Sequence, residues 1–122
     1  FMQVVIPYQN HEWQNLHAIA KAWVTSQPNV ADAWFFLGVA DLELDRLPLA
    51  KSEFEKALSL NPKNLDVLIK QSQIALKEVD LDRLDKLNAS IAALDTYASE
   101  ELTKKIATLK QTHPIKDGIP NR

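Results

Sequence analysis

In 122 residues, 46% apolar and 25% charged, there is material for one core or one short helical array, and two glycines are too few for a turn-rich β protein. A net charge of −2, with 7 acidic against 4 basic side chains over residues 1–62 and 9 against 10 beyond, leaves no surplus to neutralise phosphates, which argues against a nucleic-acid partner. The lack of cysteine excludes disulfides and thiolate metal sites, and no apolar run approaches the roughly 18 residues of a membrane span.

Residues 1–9 join Val4, Val5 and Ile6 to Pro7, a combination that favours an extended, non-helical arm. From Asn10, a capping residue, Trp13, Leu16, Ala20, Trp23 and Val24 recur at helical spacing until Pro28, which predicts a helix over 10–27. Asn29 caps a second helix, with Asp32 in its first turn and apolar residues from Ala33 to Leu44. Asp45, Arg46 and Leu47 make a short turn. Pro48 suits the start of a third helix, whose buried face is Leu49, Ala50, Phe54, Ala57 and Leu58, and Asn61-Pro62 ends it.

Asn64 caps a fourth helix through Val67, Leu68 and Ala75, and a fifth carries Leu84, Leu87, Ile91 and Leu94. A sixth holds Leu102, Ile106 and Leu109 inward and Lys104, Lys105 and Lys110 outward, with Thr96 or Ser99 as its cap. The helical domain thus runs over 10–112. After His113-Pro114 the tail, 113–122, has turn residues and no periodicity, so it is expected to be loose. The start at Phe1-Met2 reads as a piece of something longer. The compartment, cytoplasmic or periplasmic, stays open, because an oxidising space does not require cysteine; Val4-Val5-Ile6 is too short for a signal core.

Within 31–64, Trp34, Leu37, Gly38, Ala50, Phe54, Ala57 and Pro62 stand at offsets that resemble the tetratricopeptide repeat, a helical hairpin of about 34 residues. A step of 34 back aligns Leu16, Ala20, Trp23 and Pro28 with Ala50, Phe54, Ala57 and Pro62, so the first predicted helix is the second half of an incomplete repeat. A step forward puts Leu68 under Trp34, Leu84 under Ala50 and Ile91 under Ala57. Gln71, Ser72, Asn88 and Thr96 replace Leu, Gly, Phe and Pro in this diverged copy. The resemblance implies an all-α fold, a short right-handed superhelix of about six helices in antiparallel hairpins with a C-terminal capping helix.

Chemistry-bearing patterns fail on inspection. His11-Glu12 begins like a zinc-protease motif, but Asn15 stands where the second histidine belongs; His17 and His113 are scattered. Asp80, Asp82 and Asp85 lack the glycine of a calcium loop and have Ile91 in place of its bidentate glutamate. Asp41, Glu43 and Asp45 read as a solvated acidic helix end, and an enzyme would need a pair such as Asp41 and Asp45 in one pocket. Asn88-Ala89-Ser90 matches a glycosylation acceptor inside a predicted helix. Neither a nucleophilic triad nor a phosphate loop is present, so no enzyme activity, metal or cofactor is expected. Trp23 and Trp34 are expected in the core and Trp13 at the surface.

One surplus remains. Beyond the stripe of Trp34, Leu37, Gly38 and Asp41, the second helix carries Phe35, Val39 and Leu42 on another face. The resemblance implies that this face lines a concave groove, with Ile69, Gln73 and Leu76 on the fourth helix and Thr103 and Ala107 on the sixth. Many members of the resembled family grip a free carboxylate with lysine and asparagine at the positions of Phe35 and Val39, and this chain has neither. The groove is therefore expected to take an apolar or amphipathic peptide. The alternatives are cover by Val4-Val5-Ile6-Pro7-Tyr8 or by a second copy of the chain in a homodimer. The function expected is a non-catalytic protein–protein interaction module; the alternative is an accessory domain docking on a catalytic domain elsewhere.

Overall fold

The computed structural model describes the backbone of residues 2–113, 115–116 and 119–120 and the side chains of residues 3–113. Among the described residues there are seven α-helices: α1 (Met2–Gln9), α2 (Trp13–Ser26), α3 (Ala31–Glu43), α4 (Leu47–Leu60), α5 (Leu65–Glu78), α6 (Leu81–Ala92) and α7 (Thr96–Thr112). They fall into two compact units, Phe1–Lys70 and Gln71–Arg122, divided within α5. The loose tail expected at 113–122 lies largely outside the described residues; within it Ile115–Lys116 pairs antiparallel with Ile119–Pro120.

The repeat is written in the backbone more plainly than in the side chains. Positive φ occurs at His11, Asp45 and Val79, 34 residues apart, at 58°, 61° and 55°. Each ends a helix in the same way. The N–H of Glu12, Arg46 and Asp80 donates to the carbonyl of Pro7, Asp41 and Ala75 at 2.8, 2.8 and 2.9 Å. The N–H of His11, Asp45 and Val79 donates to that of Tyr8, Leu42 and Leu76 at 3.3, 3.1 and 3.3 Å. This paired closure on a left-handed residue is the Schellman arrangement, which satisfies carbonyls that the helix end would otherwise orphan. Three hairpins, α1–α2, α3–α4 and α5–α6, thus share one turn.

That turn corrects the reading of residues 1–9 as a non-helical arm. Met2–Gln9 is a helix, and it is the first half of the repeat thought incomplete, which makes the helices seven rather than six. Proline at position 7 forfeits one backbone bond near the end of a short helix. Burial outweighs that loss. Val4 is 1% exposed, Pro7 is also buried, and the Tyr8 ring meets the edges of Trp13 and Phe36 at 6.4 and 5.5 Å. Strand propensity in a Val-Val-Ile run is a weak preference that such packing overrides.

Of the expected caps, Asn64 makes its bond, whereas those of α2, α3 and α7 fall on other residues. Asn64 accepts from the Val67 N–H at 3.3 Å and Asp80 from the Arg83 N–H at 3.2 Å. The cap of α7 is Asp95, accepting from the Ala98 N–H at 3.1 Å, rather than Thr96 or Ser99. The N-cap positions of α2 and α3 are Glu12 and Val30, without side-chain bonds, rather than Asn10 and Asn29.

In the first unit α3 packs on both α2 and α4. Leu16, Ala20, Ala33, Leu37, Ala40, Ala50, Phe54 and Ala57 are at most 1% exposed. The small residues let the helices approach, and the Phe54 ring lies directly over Gly38. Trp23 and Trp34, expected in the core, are half-buried because each indole N–H has a polar partner: Gln27 Oε1 and the Pro28 carbonyl, both at 2.8 Å. In the second unit α6 packs on α7 through Leu84, Leu87, Ile91, Leu102 and Ile106, all buried. Beside them runs a polar seam. Asn88 Nδ2 donates to Thr103 Oγ1, Ser99 Oγ donates to Asn88 Oδ1, and Thr103 Oγ1 donates to the Ser99 carbonyl, each at 2.8 Å.

Candidate partner-binding surface

The apolar stripe of α3 is less open than its spacing implies. Val39 is 1% and Leu42 8% exposed, so both belong to the core, and Phe35 is half-buried against Phe36 and Phe54 at ring separations of 5.2 and 6.2 Å. Of the other groove residues expected, Ile69 is half-buried in the first unit. In the second unit Leu76 is half-buried, Gln73 is exposed, and Thr103 is exposed with its hydroxyl engaged in the α6–α7 seam.

What the first unit presents instead is a pocket of about 360 Å³ walled by Tyr8, Gln9, His11, Trp13, Val39, Glu43 and Lys70. Its making is local. The α1–α2 turn throws His11 flat onto Trp13, with the rings 5.2 Å apart and 13° from parallel, and Tyr8 meets the indole in a T-shaped contact at 6.4 Å. Val39 supplies the apolar floor. Glu43 and Lys70 bring opposite charges to its lining, and among the described residues neither side chain has an ion pair or hydrogen bond. Such a cavity can hold an apolar side chain between aromatic walls while polar or charged neighbours meet the rim.

Of these seven residues the sequence reading reached only Val39 as a site, though a signal for the rest was present. Stepping back 34 from Leu42 and Glu43 gives Tyr8 and Gln9, the inner face of α1, which stayed hidden while Pro7 was read as a helix breaker.

A second cluster centres on Asp41 in the same unit. Asp41, expected at a solvated acidic end, is 0% exposed. Its Oδ1 accepts from Arg46 Nη1 at 3.3 Å and faces His17 Nε2 at 3.5 Å. Asp45 is exposed, so Asp41 and Asp45 do not share a pocket. Asn88, the residue of the glycosylation pattern, is held by Ser99 and Thr103 within the helix pair. Among the described residues no group of three or more histidines and carboxylates is placed to hold a metal ion, and no helix is long and apolar enough to cross a membrane.

Solved structures share this architecture. Over 89% of its length, and 88% of the other chain's, the protein is similar to the Yersinia enterocolitica type III secretion chaperone SycD in complex with a peptide of the translocator YopD, with a TM-score of 0.78 at 12% identity. The fold is tetratricopeptide-like. The TPR2B domain of yeast Sti1, in its complex with pHsp70, is similar at a TM-score of 0.77 and 16% identity, over 91% of this chain and 93% of that one. A second structure of the Yersinia enterocolitica chaperone SycD is similar at 0.77 and 14%, over 89% and 79%. No family model and no curated protein matches the sequence. The tetratricopeptide-like chain thus keeps the helical hairpins of these structures at identities of 12–16%. The turn geometry at His11, Asp45 and Val79 marks its period.

Proposed function

We propose that this tetratricopeptide-like chain is a non-catalytic protein-interaction module that takes an apolar or amphipathic segment of another protein against α1 and α3. The observation that carries the reading is the pocket of Tyr8, Trp13 and Val39 with Glu43 and Lys70 at its rim. An aliphatic or aromatic side chain of the partner fills the aromatic slot, and flanking charges of the partner meet Lys70 and Glu43. The complexes of SycD with a peptide of YopD and of the Sti1 domain with pHsp70 support the same class of activity. Phe35 and Ile69 in the first unit are proposed as further contact residues, and so, by themselves, are Gln73 and Leu76 in the second, where Thr103 would have to give up its bond from Asn88 to take part.

The test is affinity for a partner recovered on the intact protein, compared with Trp13→Ala and Lys70→Glu. Both positions are half-buried, so neither change strikes the core. Each is expected to weaken binding about tenfold or more with helicity unchanged. Equal affinity in both variants would remove the pocket from the account. Leu42 is unsuitable for the same purpose, since a glutamate there would be buried and unpaired.

A further inference from the structure

Asp41 stands where the other two hairpins have Pro7 and Ala75. All three turns close with the same backbone bond, from Glu12, Arg46 and Asp80 onto Pro7, Asp41 and Ala75, so the turn needs no carboxylate. Nor does the core gain from one. Asp41 is 0% exposed, and among the described residues its Oδ2 is buried without a hydrogen-bond partner, an arrangement that costs stability against an apolar side chain of the same shape.

What the side chain does is join elements. Its Oδ1 accepts from Arg46 Nη1 of the α3–α4 turn at 3.3 Å and lies 3.5 Å from His17 Nε2 of α2. Arg46 also donates its backbone N–H to the Asp41 carbonyl at 2.8 Å, so the carboxylate is fixed at the end of α3 and α2 is brought to it. His17 stands one helical turn beyond Trp13, on the same side of α2. Asp41, two residues from both Val39 and Glu43, lies about 200° round α3 from each, on the other side of the helix from the pocket they line.

We propose that Asp41 and His17 are positioning residues for that pocket: their contact fixes α2 against α3, and with it the gap between Trp13 and Val39 that a partner's apolar side chain enters. The inference rests on the pocket being the binding site. Neither residue lines it. The buried apolar contacts of α2, through Leu16 and Ala20, are non-directional and tolerate a small slide or rotation of the helix; the polar contact selects one setting. Losing it strands no buried charge, because the side chains of His17 and Arg46 are 28% and 40% exposed and can turn to water. Stability and pocket geometry are therefore separable at these two positions.

The experiment titrates the intact protein with N-acetylphenylalaninamide, followed through the Trp13 indole N–H by NMR, beside thermal unfolding and amide residual dipolar couplings that report the angle of α2 to α3. Asp41→Leu keeps the branching of the side chain without its charge. It and His17→Leu are expected to unfold at the wild-type temperature or above, to change the α2–α3 angle while α3–α4 stays, and to bind the probe about fourfold or more weakly, the equivalent of one lost methylene contact. His17→Gln, which keeps a donor for Asp41, should bind as the wild type does. Wild-type affinity in both leucine variants, with Trp13→Ala weakened, overturns the positioning role and leaves the pocket standing. No binding by the wild type, or equal binding by Trp13→Ala, overturns the pocket and this inference with it. Should Asp41→Leu fail to fold, His17→Leu, at a half-buried position, decides alone.

Discussion

A methyl group at position 38 would sit 2.6 Å from Phe54 Cε1 and 2.8 Å from Cδ1, closer than carbon atoms approach without displacement. Phe54 is 0% exposed and cannot swing aside without opening the core. Gly38→Ala is therefore expected to lower stability by about 1–3 kcal/mol, the usual range for overpacking, in spite of alanine's better helix propensity. Urea denaturation of Gly38→Ala, alone and with Phe54→Leu, checks this: the second change should recover part of the loss, whereas additive losses would point to a cause other than the ring. Val79 is the opposite case. A β-branched residue at a φ of 55° carries strain that glycine does not, so Val79→Gly should raise the urea midpoint, by about 0.5–1 kcal/mol in stability. The consensus residues of 31–64 were readable because packing demands particular sizes at those positions. The left-handed turn residues were not, since histidine, aspartate and valine occupy a position where glycine would have announced it.

At the scale of elements, α1 shows how a segment can be helical against its own propensities. Its anchor is Val4, 1% exposed, with Pro7 one turn on. Val4→Ala should cost roughly 1–3 kcal/mol, and its local signature should be faster proteolysis within Met2–Gln9 before the remaining helices are cut. Uniform proteolysis along the chain would mean that α1 is not held as a separate element. The α3 stripe makes the complementary point about legibility. Its spacing sets Phe35, Val39 and Leu42 on a face apart from the stripe of Trp34, Leu37, Gly38 and Asp41, but sequence gives no sign of which neighbour covers an apolar face. Val39 and Leu42 are buried, and the pocket beside Val39 is walled by aromatic residues from α1 and the start of α2.

Across the whole molecule the repeats differ in what fills them. The first unit closes around Phe54 and Leu37, both at most 1% exposed. In the second, Asn88 stands where Phe54 does and is spent on the polar seam with Ser99 and Thr103. A hydrogen-bonded seam adds less to stability than a buried ring, by about 1 kcal/mol or more. Repeat proteins open locally according to the stability of each unit, so amide hydrogen exchange should be slower in α3 and α4 than in α6 and α7. Equal protection in both pairs would show that the seam is worth as much as the aromatic core. The degeneracy that made the last repeat hard to read in sequence is thus the same exchange of apolar for polar filling that sets its packing apart.

The most direct test of the interaction reading is a backbone amide NMR footprint of the bound partner segment on the intact chain. The account predicts that the perturbed amides gather around Tyr8 to Trp13, Val39 to Glu43 and Lys70, with Trp13→Ala abolishing the set together. A footprint confined to the outer faces, such as Leu49 on α4 or Tyr97 on α7, would contradict it.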